Sequence, residues 1–260
     1  MIAEIRSLHR RKGRREQGAF LVEGVRLVAE AANADAPIRS VILCPEMLGD
    51  TEGALRARLA HLSPAPRVIA VDPSVMRLLA DTETPQGVVA VVAMPVSELP
   101  DLDPQCALLL VLDGLRDPGN VGTLLRAGAA AGCDAVVTTF GSADPFAPKV
   151  VRAAMGTHFR VPLLSDVAWD WLGPALTPLP AIYGADAVAS HAYDAVDWRA
   201  GAAIIVGHED HGLSEEARRW CRGTVAIPMA RGVESLNAAV SGAIILFEAV
   251  RQRQFRGGGF

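Results

Sequence analysis

The residues of this chain that could do chemistry crowd into three short stretches. Near the C-terminus, IPMARGVESLN (227–237) sets Glu234, Ser235 and Asn237 in a loop pinned by Pro228 and Gly232. Upstream, GHEDHGL (207–213) follows an apolar run and presents Glu209. Earlier still, DPGNVGTLLR (117–126) spaces Asn120, Gly122 and Arg126 as N-x-G-x-x-x-R. Gly122 lies one turn from Arg126 on the same helix face, and its missing side chain leaves room for a sugar or phosphate beside the guanidinium. The stretches suit a metal poorly: HEDH has no helix-period pair of ligands, and no metal is expected. Each residue also has a plainer explanation. Ser235 is placed to cap the helix that follows it, Asn120 to cap the helix it begins, and Arg126 to form a surface ion pair.

Each stretch must be carried by a strand, a loop and a helix. ALLLVLDGLRDPGNVGTLLRAGAAAGCDAVVTTF (107–140) reads as strand, Gly/Pro/Asp loop, helix and second strand. It lacks the G-x-G-x-x-G of a dinucleotide fold, which argues against a nicotinamide oxidoreductase. AAIIVGHEDHGLSEEARRWC (202–221) is a buried strand, a polar turn and a helix opened by Ser214, with Glu215 and Glu216 complementing its dipole. After the last loop, Leu236, Val240, Ile244 and Phe247 recur at three- and four-residue spacing, the expected buried face of a C-terminal helix. DPFAPKVVRAAMGTHFRVPL (144–163) opens a helix at Pro148 and offers Lys149, Arg152 and Arg160 as phosphate contacts or, equally, as an ordinary solvated helix face. WDWLGPALTPLP (169–180) reads as a packing helix and turn, and residues 181–201 as strand and loop. His158 and His191 read as ordinary surface histidines.

The first ninety residues have a different character. Arg10, Arg11, Lys12 and Arg14 lie in a basic segment that suits a phosphate backbone or, equally, a solvated helix end. Strand and helix patterns then alternate: 19–32, a strand at 41–45, a helix near Leu55–Leu62, a strand at 67–72, a short helix at Pro73–Leu79 and a β-branched strand in 84–94. That alternation predicts an α/β sandwich. PVSELPDLDPQ (95–105) reads as a linker between a unit over 1–95 and a second over 106–260.

Half the 260 residues are hydrophobic, enough for substantial cores. A net charge of −4 argues against indiscriminate coating of nucleic acid but leaves room for a local basic patch. Among the 25 basic residues Lys12 and Lys149 are the two lysines, and arginine suits forked phosphate contacts. Cys44, Cys106, Cys133 and Cys221 have no metal or disulfide spacing and read as buried free thiols in a reducing compartment. With no signal-peptide core and no run long enough to span a membrane, a soluble, cytoplasmic protein is expected.

Taken in order, the 117–126, 144–163 and 227–237 stretches resemble the three motifs of the SpoU (TrmH-like) RNA 2'-O-ribose methyltransferases of the SPOUT superfamily. Arg10–Phe20 followed by VEG, and ETPQG (83–87), resemble the L30e-like substrate-binding domain that precedes the catalytic domain in many of these enzymes. There are departures. Ala147 and Ala154 stand where serines often occur, and in the loop usually written G-N-E-G-x-G-L, His208 replaces Asn and Asp210 replaces Gly.

The resemblance implies an N-terminal L30e-like α/β sandwich, a C-terminal SPOUT α/β domain with a deep trefoil knot, and a homodimer. A knot is something local pattern would never suggest. It implies S-adenosylmethionine held by loops contributing Thr138, Thr139, Gly141, Gly207, Ile227, Met229 and Leu236. It implies Arg126, Asn120, Glu209, Ser235 and Asn237 around the reacting ribose, with Arg126 acting across the dimer. The RNA contacts would be Arg10, Arg11, Lys12, Arg14, Lys149 and Arg152. The L30e-like extension favours ribosomal RNA over transfer RNA. The alternatives are a tRNA 2'-O-methyltransferase and a non-catalytic RNA-binding relative, the second supported by the altered 207–213 loop.

Overall fold

The computed structural model describes residues 1–254; residues 255–260, the tail of the expected second unit, lie outside the described residues. By packing, the chain forms two units, one from Met1–Val96 with Phe146–Arg160, the other from Ser97–Pro145 with Val161 onward. The expected division by chain order differs in one segment, since 146–160 packs with the first unit.

The first unit opens with α1 (Ile2–Ser7) and α2 (Arg11–Gln17). A Cβ on Gly13 would lie 2.2 Å from the Ser7 carbonyl oxygen, so the two helices meet at a contact that only glycine allows. Then come β1 (Ala19–Glu23), α3 (Val25–Asn33), β2 (Ile38–Leu43), α4 (Pro45–Leu48), α5 (Thr51–Ala60), β3 (Arg67–Ala70), α6 (Pro73–Leu79) and β4 (Val88–Ala93). The sheet order is β1-β4-β2-β3, antiparallel except for the β2–β3 pair. Ile5, Leu8, Leu21, Ile42, Met76 and Leu79 fill its core.

The two stretches that carried the N-terminal resemblance meet here. Glu23 is buried, and its carboxylate accepts from the Asp81 amide (2.8 Å) and the Thr82 hydroxyl. Gln86 Oε1 accepts from the Val25 amide (3.0 Å) in the first turn of α3.

The second unit is a seven-stranded parallel sheet. It begins with β5 (Leu108–Leu112), α7 (Pro118–Ala130) and β6 (Ala135–Thr139). The chain then contributes Phe146–Arg160, with α8 (Pro148–Ala154), to the first unit. There Phe20 packs on Phe146 (ring centroids 5.1 Å) and on His158 (5.8 Å). His158 is therefore a buried core ring, not the surface residue its isolation in the sequence suggests.

Back in the second unit follow β7 (Leu163–Val167), α9 (Trp169–Leu176), β8 (Ala181–Ala185), β9 (His191–Ala192), β10 (Ala202–Val206), α10 (Glu215–Trp220), β11 (Gly223–Ala226) and α11 (Ala238–Gln254). The order is β7-β6-β5-β10-β8-β11-β9. The central strands LLLVL and AAIIV are buried on both faces, as a helix-covered parallel sheet requires.

Two expectations are corrected by α11. Its buried residues are Ala239, Gly242, Ile245, Leu246, Glu248 and Ala249, whereas Ile244 is half-buried, Val240 and Phe247 are exposed and Leu236 precedes the helix. A Cβ on Gly242 would come within 2.6 Å of Leu124 and 2.8 Å of Val206, so α11 lies tightly on α7 and β10. The N-terminus is capped by Asn237, whose Oδ1 accepts from the Ala239 (2.9 Å) and Val240 (3.2 Å) amides; Ser235 lies outside the helix. The cysteines also divide: Cys44 and Cys133 are buried, Cys221 partly so, but Cys106 is exposed. Burial, its largest cause in each case, pushes the Cys133 thiol to about 12 and that of Cys221 to about 11, which keeps both protonated.

Candidate active site

Strand order brings the three chemical stretches to one edge. Strands β5, β10, β8 and β11 are consecutive neighbours and parallel, so the loops after them share the carboxyl end of the sheet. That is where open α/β sheets bind ligands.

The centre is Glu209. Its Oε1 accepts from the Asp117 amide (2.9 Å) and from Asn120 Nδ2 (3.0 Å), and its Oε2 from the Arg116 amide (3.2 Å). Burial raises its pKa, but the hydrogen bonds from Asn120, the Asp117 amide, its own amide and the Arg116 amide outweigh that and hold it below the usual carboxylate value. Glu209 is thus an ionised acceptor fixed to the loop before α7. The chain of contacts continues: Asn237 Nδ2 donates to Asn120 Oδ1 at 2.8 Å. One hydrogen-bonded line therefore joins residues 209, 120 and 237, drawn from all three stretches.

Asn120 is not the helix cap that its position suggests. Asp117 caps α7 by accepting from the Asn120 amide (2.8 Å), which frees the buried Asn120 side chain to bridge Glu209 and Asn237. The altered loop keeps a regular shape. His208 and Gly212 exchange backbone hydrogen bonds (2.8 and 2.9 Å), and the Asp210 amide donates to His208 Nδ1 (3.0 Å). Asp210 is not among the residues with positive φ, so the Asp-for-Gly replacement carries no left-handed strain. Gly207 is required by contact: a Cβ there would lie 2.3 Å from the Gly212 carbonyl carbon.

Beside this line lies a cleft of about 540 Å³, within the range of a small-molecule site. Of the sequence-derived residues, Gly207, Glu209, Ile227, Met229, Ser235, Leu236 and Asn237 line it. Val206, Ile227, Met229, Leu236 and Ile245 give it an apolar wall. Thr138, Thr139 and Gly141 do not line it. Thr138 and Thr139 end β6 and Gly141 follows it, on the far side of β5, and the Thr139 hydroxyl instead donates to Asp113 (3.1 Å). The loop that takes their place follows β8 and carries Ala185, Asp186, Ala187 and Val188. Arg126 is exposed on α7 and, among the described residues, makes no hydrogen bond or ion pair.

Sequence reasoning also passed over Asp113. It is 3 % exposed and accepts from Trp169 Nε1 (2.8 Å), the Thr139 hydroxyl (3.1 Å) and the Ser214 amide (2.7 Å). It ties the end of β5 to β6, α9 and α10, and so holds the loops on either side of Glu209. Its signal was available: an acid ending the apolar run ALLLVL.

The expected RNA contacts all fall in the first unit and divide there. Arg10, Lys12 and Lys149 are exposed and Arg11 partly so. Arg14 is 2 % exposed, its Nη1 donating to the Leu8 carbonyl (2.8 Å), and is a packing residue. Arg152 is paired with Asp81 at 2.6 Å. Among the described residues no cluster of His, Cys, Asp and Glu could hold a metal ion.

Residues 107–247 match the SpoU rRNA Methylase family, and residues 1–90 match the MRM3-like substrate binding domain. The chain is 34% identical to the 23S rRNA (uridine(2479)-2'-O)-methyltransferase of Streptomyces viridochromogenes, over 95% of this chain and 87% of that one. It is 31% identical to mouse (Mus musculus) mitochondrial rRNA methyltransferase 3, over 94% and 70% respectively. The crystal structure of the SpoU methyltransferase AviRb from S. viridochromogenes in complex with the cofactor AdoMet superposes with a TM-score of 0.86 at 30% identity, covering 97% of each chain. With its motifs gathered at one sheet edge and these likenesses along almost its whole length, the chain belongs to the SpoU rRNA methylase family.

Proposed function

We propose that this protein transfers a methyl group from S-adenosylmethionine to a ribose 2'-hydroxyl of large-subunit (23S) ribosomal RNA. The observation that carries this reading is the line Glu209–Asn120–Asn237 beside the 540 Å³ cleft. The cleft fits the cofactor by its chemistry: an apolar wall for a purine, with Gly207 and polar side chains also in its lining.

The cofactor, when bound, supplies an electrophilic methyl on a sulfonium. Held by the lining of the cleft, it would give that methyl to the ribose oxygen, leaving as S-adenosylhomocysteine while the hydroxyl proton would pass to water. Glu209 is a poor base, since its oxygens are already engaged and its pKa is lowered. Arg126 is a permanent cation. Both therefore orient and stabilise charge: Glu209 fixes Asn120 and Asn237, and the guanidinium attracts the phosphate and the developing alkoxide.

The active form is a homodimer. In support, Val240 and Phe247 are 46% and 47% exposed on α11, which packs beside the helix bearing Arg126. That surface would bring Arg126 of one copy to the cleft of the other. A trefoil knot is in keeping with β10 lying between β5 and β8 while α11 returns onto α7 and β10. The first unit presents Arg10, Arg11, Lys12 and Lys149 to the RNA backbone.

The test is transfer of labelled methyl from S-adenosylmethionine to fractionated total RNA, wild type beside Arg126→Ala. Label in ribosomal RNA that the variant loses by at least a hundredfold, with cofactor binding retained, is the expected result. Cofactor binding with label in transfer RNA alone would replace the substrate. Binding of neither cofactor nor RNA would overturn the reading.

A further inference from the structure

One charged pair in the cleft has no part in the Glu209 line. Asp186 and Arg218 both line it, with Arg218 Nη2 donating to Asp186 Oδ2 at 2.9 Å. The Asp186 side chain is 16% exposed and Arg218's is 46% exposed. The backbone of Asp186 is fixed by its amide donating to the Val225 carbonyl on β11 (3.0 Å), and its carboxylate is held at two points, Oδ1 accepting from the Val188 amide (3.2 Å) and Oδ2 from Arg218. A carboxylate offers about four acceptor positions. Two are filled, so a fixed, largely buried anion keeps capacity for donors in the cleft. Small neighbours, Ala185 and Ala187, leave the approach open.

Position decides which donors. Glu209 follows β10 and is bonded to the loop after β5; Asp186 follows β8, one strand further toward β11. The reacting end of a ligand must face Asn120, Asn237 and the helix of Arg126, so the far end of the cleft receives the part that does not react. For S-adenosylmethionine that part is the adenosyl group, whose purine suits the apolar wall and whose ribose carries two neutral hydroxyl donors. Neutral donors suit an acid already neutralised by arginine, and a carboxylate accepting from a ribose hydroxyl is an established means of holding a nucleoside.

We propose that Asp186 accepts hydrogen bonds from the ribose hydroxyls of the cofactor's adenosyl group, and that Arg218 is a positioning residue that fixes the carboxylate. This assignment rests on the cofactor reading above. It makes Asp186 a determinant of cofactor selection, since a nucleoside without its hydroxyls leaves a buried acceptor unmatched.

The experiment measures binding of three probes by calorimetry: S-adenosylhomocysteine, 5'-methylthioadenosine, and 5'-methylthio-2',3'-dideoxyadenosine. The second lacks the amino-acid end and the third also lacks the hydroxyls. Wild type should prefer methylthioadenosine over the dideoxy probe by about tenfold or more, the worth of hydrogen bonds to a charged group. Asp186→Ala should shrink that preference below about threefold while weakening S-adenosylhomocysteine and methylthioadenosine alike. Arg218→Ala should reduce the preference part-way, a ratio that a general loss of stability would not move. Asp186→Asn, which keeps the side chain's size, guards against misfolding of the alanine variant and should also narrow the ratio. A loss confined to S-adenosylhomocysteine would assign the pair to the amino-acid end and overturn the proposal, as would an unchanged ratio. Wild type that binds none of the probes would instead overturn the cofactor reading and this assignment with it.

Discussion

Replacing Asp113 tests whether the loops around Glu209 are held from below. Its carboxylate serves three donors: the Trp169 indole, the Thr139 hydroxyl and the Ser214 amide. In Asp113→Ala the Thr139 hydroxyl can turn to the Leu112 carbonyl, already 3.5 Å away. The indole and the amide have no such recourse, and a stranded buried donor costs about 1–3 kcal/mol. Two of them give a loss of about 2–6 kcal/mol. Asp113→Asn keeps one oxygen but turns an NH₂ toward the Ser214 amide, stranding one donor. Relief from burying a charge offsets part of that, so its loss should be about 1–2 kcal/mol.

At roughly 2–4 °C per kcal/mol for a chain of this size, Asp113→Ala should melt about 4–24 °C below wild type. Trp169→Phe removes a donor instead of the acceptor and should cost about 1 kcal/mol. A double-mutant cycle of Asp113→Ala with Trp169→Phe should show coupling of at least about 1 kcal/mol. Because the same carboxylate fixes the starts of α9 and α10, cofactor affinity should fall with stability. A melting point for Asp113→Ala within 2 °C of wild type, or additive single variants, would refute the reasoning.

Other perturbations separate contact, charge and assembly. Gly207→Ala places a methyl 2.3 Å from backbone that cannot yield, so cofactor binding measured by calorimetry should be lost, or the chain destabilised by about 1–3 kcal/mol if the loop shifts to admit it. Glu209, with its folded-state pKa depressed, contributes stability that is fully present above its ordinary value of 4.5 and is lost as pH falls through the lower folded value. Denaturant midpoints should therefore show wild type ahead of Glu209→Gln at neutral pH and the gap closing in acid; a gap that widened in acid would reverse the assigned sign. Val240→Glu with Phe247→Glu should leave the secondary structure unchanged by circular dichroism but yield a monomer by light scattering, with methyl transfer lost; a dimer that survives both would place the interface elsewhere.

The parts of this architecture legible in the sequence are those set by neighbours along the chain. Pro73, Pro148 and Ser214 open helices where local chemistry says they should. The apolar strands LLLVL and AAIIV announce a covered parallel sheet. What could not be read locally depends on partners far along the chain. Asp113 meets Ser214 across 101 positions, and the β8 loop displaces the β6 loop from the cleft because β8, not β6, neighbours β10 and β11. No periodicity encodes that order.

Helix α11 shows the same limit most sharply. Its stripe of Leu236, Val240, Ile244 and Phe247 is a genuine apolar pattern, yet the face that meets α7 and β10 is built from Ala239, Gly242, Ile245, Leu246 and Ala249. Close approach is the reason: with a glycine Cβ position only 2.6 Å from Leu124, part of the inward face must be small, and small residues add little to a hydrophobic pattern. Val240 and Phe247 are left outside, where burying them would require another surface. An apolar stripe in a sequence shows that something is to be covered; whether the chain itself or a second copy covers it is a question of how closely its neighbours pack. Here the tight inward face leaves Val240 and Phe247 uncovered by the chain itself, and the proposed homodimer is the arrangement that would cover them.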